Sequence, residues 1–263
     1  MIPAIPLAED TWRWAALAHL AVLVAMLAAP AVDHRVLDGA NVWVKPAKFA
    51  FALGVHYLVL MWVAGTLSAP WRAGSLLAIV ALVSSFAGAG EMVYIGVQAA
   101  RRAHSHFNLS TPIYQLLYSL MAIGAVLIIG GAGVLGVVAA VDREADLGPA
   151  VRTGVVLGLV GGTVLTLISA FTMGGRLDHH VGVEAVGAPR MPLTGWSLSV
   201  GDLRVSHFLA THMIQAVPLV GLAASRFPTV IGVPLVVLAA AAWTAATLGA
   251  WRGALEGRPP LTP

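Results

Sequence analysis

Seven apolar segments, each long enough to cross a bilayer as a helix, occupy most of this chain and restrict its fold class. Prolines and glycines separate them, and Ser110-Thr111-Pro112 has the form of a helix cap followed by a helix-starting proline. We predict an all-α polytopic membrane protein, a bundle of seven helices forming one integral membrane domain over residues 1–263. The predicted spans are Trp12–Pro30, Ala47–Leu67, Ala73–Ala99, Pro112–Val141, Ala150–Met173, Asp202–Ala224 and Thr229–Trp251.

Composition supports that class and excludes several functions. Hydrophobic residues make up 59% of the sequence and charged residues only 10%, which is typical of a polytopic membrane protein. The absence of cysteine excludes disulfides, thiolate metal sites, iron–sulfur clusters and covalently attached haem. The net charge of +3 comes from basic residues near the ends of apolar segments, so no nucleic-acid partner is expected.

The distribution of basic residues predicts an orientation. Ten of the 15 Lys and Arg residues flank the side of the membrane on which the C-terminus lies. The positive-inside rule therefore places the N-terminus outside and the C-terminus in the cytoplasm of a multi-pass protein of the bacterial cytoplasmic (inner) membrane. The longer loops, Ala31–Pro46, Arg101–Thr111 and Gly174–Gly201, then share the cytoplasmic side.

The sixth span carries the most unusual polar pattern, in the sequence GDLRVSHFLATHMIQAVP. At about 100° per residue, its polar side chains fall within an arc of roughly 140°. A helix that stays polar along one side inside a membrane predicts a functional site, although hydrogen bonding to neighbouring helices explains such a face as well. The residues concerned are Arg204, His207, Thr211, His212 and Gln215.

The third span repeats the pattern over an arc of about 80°, formed by Ser84, Glu91, Tyr94, Gln98 and Arg102. Glu91 is the only acidic residue well inside a predicted span. An unpaired buried carboxylate is costly, so we expect this group to be protonated, paired with a cation or bound to a metal. Glycine-rich stretches such as GLVGG lack a nucleotide-binding context and indicate close helix packing.

Histidines suggest a cofactor. Counting about 1.5 Å per residue places His19, His56, Glu91 and His212 near one depth in the bilayer, with His207 closer to the cytoplasm. Such a set suits a transition metal bound by nitrogen and oxygen, namely zinc, iron or copper. Haem b is the alternative, with axial histidine and basic or polar groups around it: Lys45, Lys48, Arg101, Arg102, Arg204 and Gln215.

Four sequence pieces resemble a family of seven-span bacterial membrane proteins to which no activity is assigned. They are VKPAKF at Val44–Phe49, EMVYIGVQAAR with SHFN at Glu91–Asn108, HHVG at His179–Gly182, and LTGWS followed by GDLRVSHFLATHMIQAVP. The resemblance places His19, His56, His104 and His179 outside the family motifs. It implies a metal site open to the cytoplasm and built from five motif residues: Glu91, His106, His180, His207 and His212.

Three functions remain open. The first is a metal- or haem-binding redox protein acting on quinone or another lipophilic substrate, with Glu91, His207, His212 and Arg204 as catalytic residues. The second is a proton-coupled transporter or channel that uses Glu91 and the histidines of the sixth span. The third is a non-catalytic membrane subunit or assembly factor. The expected partners are the lipid bilayer, a quinone or lipid substrate, and a second copy or a membrane partner subunit.

Overall fold

The computed structural model describes residues 6–260, and 72% of the protein is helical, which confirms the all-α class. Seven helices are long and apolar enough to cross a membrane, as expected of an integral membrane protein. The helices are α1 (Ala8–Ala28), α2 (Val44–Gly65), α3 (Ala69–Arg72), α4 (Ser75–Ala100), α5 (Pro112–Val141), α6 (Pro149–Val156), α7 (Gly162–Arg176), α8 (Leu203–Ala224) and α9 (Thr229–Leu255). A 3-10 turn, Ala29–Ala31, extends α1, and a π-helical segment, Leu157–Gly161, joins α6 to α7.

All seven predicted spans match these helices, with α6, the π segment and α7 forming the fifth. The predicted limits of α5 agree at both ends, and Thr111 caps that helix by accepting a hydrogen bond from the Tyr114 backbone N–H at 3.3 Å. The start of α1 lies four residues before the predicted Trp12, because Glu9 and Asp10 in its first turn obscure the apolar pattern. The orientation of the termini stays a prediction.

The chain separates into two compact units, Met1–Asp146 and Leu147–Pro263. That the chain forms a single integral membrane domain stays a prediction. In the first unit, α1 packs against α2 and α4, and α4 packs against α5. The buried Trp12 indole donates to the Ser84 hydroxyl at 3.0 Å, and the Tyr57 hydroxyl donates to the Ser84 carbonyl at 2.6 Å. Gly88 is required beside this tyrosine, since a Cβ there would lie 2.2 Å from the Tyr57 oxygen.

At one end of the first unit, two arginine side chains join the segment before α2 to the end of α4 through hydrogen bonds to backbone carbonyls. Arg35 donates to the Ala100 carbonyl at 2.8 Å, and Arg102 donates to the Val36 carbonyl at 2.7 Å. Val36 belongs to a two-residue strand, β1 (Val36–Leu37), that pairs with β2 (Ala40–Asn41). These contacts hold the segment before α2 against the end of α4, where several of the predicted site residues lie.

In the second unit, α8 is the central helix and packs against α6, α7, the π segment and α9. The glycines of GLVGG allow this approach: a Cβ at Gly158 would lie 2.5 Å from the Pro218 ring, and one at Gly162 would lie 2.7 Å from Ile214. The loop between α7 and α8 closes on itself through β3 (His180–Val181) and β4 (Gly201–Asp202), with His180 opposite Asp202.

Candidate functional site

The predicted site residues are distributed over both units. The first unit contains Glu91, His106, Lys45, Lys48, Arg101 and Arg102, and the second contains His180, Arg204, His207, His212 and Gln215.

A cavity of about 620 Å³ lies between α4 and α5 in the first unit. Thirteen residues line it, seven from one face of α4 within 82–94 and six from one face of α5 within 117–127, and all are apolar except Glu91 and Tyr94. It is open at one side, since Phe86 is 83% exposed on the surface of the unit. Its volume lies within the range of about 300–1,000 Å³ that is usual for small-molecule sites.

Both polar residues of the cavity hold an unsatisfied buried atom. Glu91 is 6% exposed, and its Oε1 has no hydrogen-bond partner within the described part of the chain. That oxygen faces α5 at Gly124, where a Cβ would lie 3.3 Å from it. The Tyr94 hydroxyl, one turn further along α4, likewise has no partner among residues 6–260. Buried polar atoms of folded proteins are nearly always hydrogen-bonded, so this pair indicates a ligand.

Behind Glu91, buried rings surround Tyr57. The His19 ring lies 5.3 Å from the Tyr57 ring and the His56 ring lies 5.4 Å from it, between centroids. The Nδ1 of His19 lies 2.7 Å from the Ala15 carbonyl, so this nitrogen carries the proton, and the buried Nε2 has no partner in the described residues. Two of the four histidines that the family resemblance places outside its motifs, His19 and His56, thus lie in the interior of the first unit, beside Tyr57.

A polar chain leads from the loop after α4 toward Glu91. His106 Nδ1 lies 3.1 Å from the Ser105 hydroxyl and 3.3 Å from Lys45 Nζ, and Lys45 lies within electrostatic range of Glu91. Gln98 fixes this loop by donating to the His104 carbonyl at 2.9 Å. Lys45, predicted as a site residue, therefore contacts His106 and lies within electrostatic range of Glu91.

The other predicted basic residues of this unit are engaged elsewhere. Arg101 Nη2 donates to the Tyr114 hydroxyl at 3.0 Å, and the guanidinium lies 6.0 Å from the centre of that ring. The Arg102 side chain donates a hydrogen bond to the Val36 carbonyl. The predicted cofactor-binding role of Arg101, Arg102 and Lys48 stays a prediction.

In the second unit, the polar face of α8 is satisfied by nearby side chains. His207 Nδ1 lies 3.0 Å from the Ser169 hydroxyl of α7, and His212 Nδ1 lies 3.3 Å from the Gln215 amide oxygen. The His212 ring stacks edge-on against Phe208, with 4.2 Å between centroids. These are contacts of helix packing. His207 joins α8 to α7, whereas His212 contacts residues of α8 itself.

An ion-pair network closes the loop before α8. Asp202 caps the helix and binds Arg204, whose Nη2 lies 2.5 Å from the carboxylate and 2.9 Å from the Gly195 carbonyl. Burial raises the pKa of Asp202, but the hydrogen bonds and charge of Arg204 outweigh it and hold that pKa below its usual value. Arg204, predicted as a catalytic residue, is held in place by this pair.

His180 lies in the same loop between several acids. Its Nε2 lies 3.8 Å from an Asp202 oxygen and 3.9 Å from a Glu184 oxygen, and Arg190 forms an ion pair with Glu184. On the other side of its ring, Nδ1 lies 3.8 Å from Asp178 Oδ1.

Within the described residues, one group of His, Asp and Glu residues has ligand atoms close enough to share a metal: Asp178, His179 and His180. His180 belongs to the ligand set predicted from the sequence, while Asp178 and His179 do not. The grouping of His180 with Glu91, His106, His207 and His212 stays a prediction. The run Asp-His-His follows the fifth span closely, but three adjacent residues match no established metal-binding spacing, so the sequence alone does not indicate this group.

Scans against protein-family models and searches of curated proteins and solved structures find no match to this chain. Its function is therefore argued from its own residues.

Proposed function

We propose that this chain is an integral membrane protein that binds a lipophilic ligand of the quinone class between α4 and α5 and exchanges protons with it through Glu91. The observation that carries the proposal is the pair of unsatisfied buried atoms, Glu91 Oε1 and the Tyr94 hydroxyl, in an otherwise apolar cavity. Apolar lining with a few convergent polar groups is the usual form of a small-molecule site.

A quinone matches both features of the cavity. Its carbonyl oxygens are acceptors for the Tyr94 hydroxyl and for a protonated Glu91 carboxyl, and its ring and hydrocarbon tail suit the apolar walls. A three-residue separation puts Glu91 and Tyr94 on the same face of α4. Gly124 on α5 leaves space beside the carboxyl group, which a larger residue would occupy.

Protons can reach Glu91 from the loop side of the unit. The Ser105 hydroxyl and Lys45 Nζ both contact His106 Nδ1, and Lys45 lies within electrostatic range of the carboxyl group. In the orientation that the positive-inside rule favours, this route begins in the cytoplasm. Reduction of a quinone to a quinol consumes two protons and two electrons. This route would deliver the protons, and a bound haem or redox-active non-haem metal, within the cofactor class expected from the sequence, would supply the electrons.

The same route supports a second function, proton-coupled transport. A chain of titratable groups that ends at a buried carboxyl group is the usual arrangement of a proton relay in membrane proteins. Proteoliposome experiments distinguish the two functions. Flux that depends on Glu91 and persists without quinone would favour transport.

Ligand binding tests the first function. A short-tailed benzoquinone is titrated into the protein in nanodiscs of defined lipid, together with Glu91→Gln and Tyr94→Phe. We expect at least a tenfold weaker affinity for Glu91→Gln and a loss of about three- to tenfold for Tyr94→Phe, because one neutral hydrogen bond contributes about 0.5–1.5 kcal/mol.

Two matched variants control for general effects. Glu144→Gln changes a carboxyl group in the loop after α5, and Tyr118→Phe removes a phenol that lies outside the cavity lining. Both should bind quinone as the wild type does. Equal affinity in all five proteins would contradict the proposal. An absorption spectrum and elemental analysis of the purified protein test the redox part, which needs a Soret band or a stoichiometric redox-active metal such as iron or copper.

A further inference from the structure

We infer that Asp178, His179 and His180 bind a divalent first-row transition metal of the zinc class at the end of α7. This site lies in the second unit and is independent of the quinone cavity. It uses one residue of the predicted ligand set, His180, and two that were not in it.

The three candidate ligand atoms already lie close together. Asp178 Oδ1 is 3.7 Å from His179 Nδ1 and 3.8 Å from His180 Nδ1, and all three atoms lie within 4.8 Å of one another. Zinc bonds to nitrogen and oxygen are about 2.0–2.2 Å, so tetrahedral ligands lie roughly 3.3 Å apart. The two carboxylate–imidazole distances exceed this spacing by about half an ångström. The 4.8 Å limit leaves the ligand atoms of the two histidines up to about 1.5 Å beyond it, so binding requires the two rings to close on the ion.

The backbone holds these residues in place. Asp178 Oδ1 accepts the His180 backbone N–H at 3.0 Å, and the Leu203 backbone N–H donates to the His179 carbonyl at 2.8 Å. The pairing of β3 with β4 fixes His180 opposite Asp202. The candidate ligands thus belong to a paired segment and are restrained relative to the start of α8.

The second nitrogen of His180 has the surroundings of a metal-bound histidine. When Nδ1 binds a metal, Nε2 carries a proton, and this N–H usually points at a carboxylate. His180 Nε2 is buried, has no hydrogen-bond partner among the described residues, and lies 3.8 Å from Asp202 and 3.9 Å from Glu184. Glu184 Oε1 is likewise buried and unsatisfied within residues 6–260.

The donor atoms match the preference of a transition metal of the zinc class. Two imidazoles and one carboxylate favour zinc over the oxygen-binding cations magnesium and calcium. The Asp178 side chain is 57% exposed, which leaves room for a water ligand.

Metal titration of the full chain tests the site. The detergent-purified protein is stripped with a chelator and titrated with Zn²⁺ by calorimetry, and Co²⁺ is used as a spectroscopic probe of tetrahedral coordination. The wild type should bind one ion per chain at this site. Asp178→Asn and His179→Ala should each weaken Zn²⁺ at least tenfold and remove the tetrahedral Co²⁺ spectrum.

His104→Ala is the matched control, because His104 and Asp38 form an exposed His–Asp pair at 3.5 Å in the first unit. This variant should bind Zn²⁺ as the wild type does. Unchanged affinity in Asp178→Asn and His179→Ala, or an equal loss in His104→Ala, would overturn the site. Thermal unfolding midpoints separate ligand loss from misfolding, and quinone binding by the same variants should be unaffected.

Discussion

The helices α4 and α8 carry similar polar faces in sequence and differ in how those faces are satisfied. On α8, Arg204, His207 and His212 each have a side-chain or carbonyl partner within the second unit. On α4, Glu91 and Tyr94 each expose an unsatisfied atom to a cavity. A row of polar side chains on a helix therefore indicates a helix that needs hydrogen-bond partners. The row on α4, where two polar atoms lack such partners among the described residues, is the one that can bind a ligand.

The largest expected effect on stability concerns α8, whose polar side chains have hydrogen-bond partners. Asp202→Ala removes the cap of α8 and leaves the Arg204 guanidinium without its carboxylate. We expect the free energy of unfolding to fall by about 3 kcal/mol, which is typical of breaking a buried pair. Unfolding by SDS in mixed micelles measures it. Asp10→Ala, in an exposed pair with Arg13, should cost less than about 1 kcal/mol. Equal losses would show that the Asp202 network does not support α8.

A smaller effect separates two serines. Ser169→Ala removes the partner of His207, and we expect a loss of about 1 kcal/mol in the free energy of unfolding. Ser85→Ala on α4 removes a hydroxyl that has no partner within the described residues and should change this free energy by less than about 0.5 kcal/mol. The same unfolding assay compares them, and a reversed order would invalidate the contrast between the two helices.

Glu91→Gln should have almost no effect on stability, in contrast to its effect on quinone binding. The Oε1 atom has no partner to lose, so the free energy of unfolding should stay within about 0.5 kcal/mol of the wild type or rise. The measurement is made without quinone. A loss above about 2 kcal/mol would indicate that Glu91 is a structural residue.

The smallest expected effect concerns the loop before α2 in the first unit, where the Asp33 carboxylate has hydrogen-bond partners. Hydrogen bonds from Arg35 hold the pKa of Asp33 well below its usual value of 3.8, and the Trp43 indole donates to the same carboxylate at 2.8 Å. Because the folded-state pKa is lowered, this contact stabilises the loop above the unfolded pKa and is lost only as pH falls below it. The fluorescence of Trp43, taken as the difference from Trp43→Phe, should be constant from pH 7 to about pH 4. A transition near pH 6 would contradict this assignment.

The sequence was sufficient to predict the helices and insufficient to predict which polar residues meet. Apolar length predicted the seven helices, and Thr111 predicted the cap of α5, because both signals are local. Periodicity placed Glu91 and Tyr94 on one face of α4 but could not show that their polar atoms lack partners, since that depends on Gly124 of α5. For the same reason, the proximity of His19 on α1 to Tyr57 on α2 depends on packing between helices. The Asp178 group was missed because an acid beside two histidines has no distinctive spacing.

Photo-crosslinking with an azidoquinone tests the central claim most directly. The probe is activated in nanodiscs that contain the full chain, and labelled peptides are identified by mass spectrometry. The account predicts adducts on residues 82–94 of α4 and 117–127 of α5, suppressed by excess unreactive quinone and reduced in Glu91→Gln. Adducts elsewhere, or adducts at the cavity that neither competition nor Glu91→Gln diminishes, would contradict it.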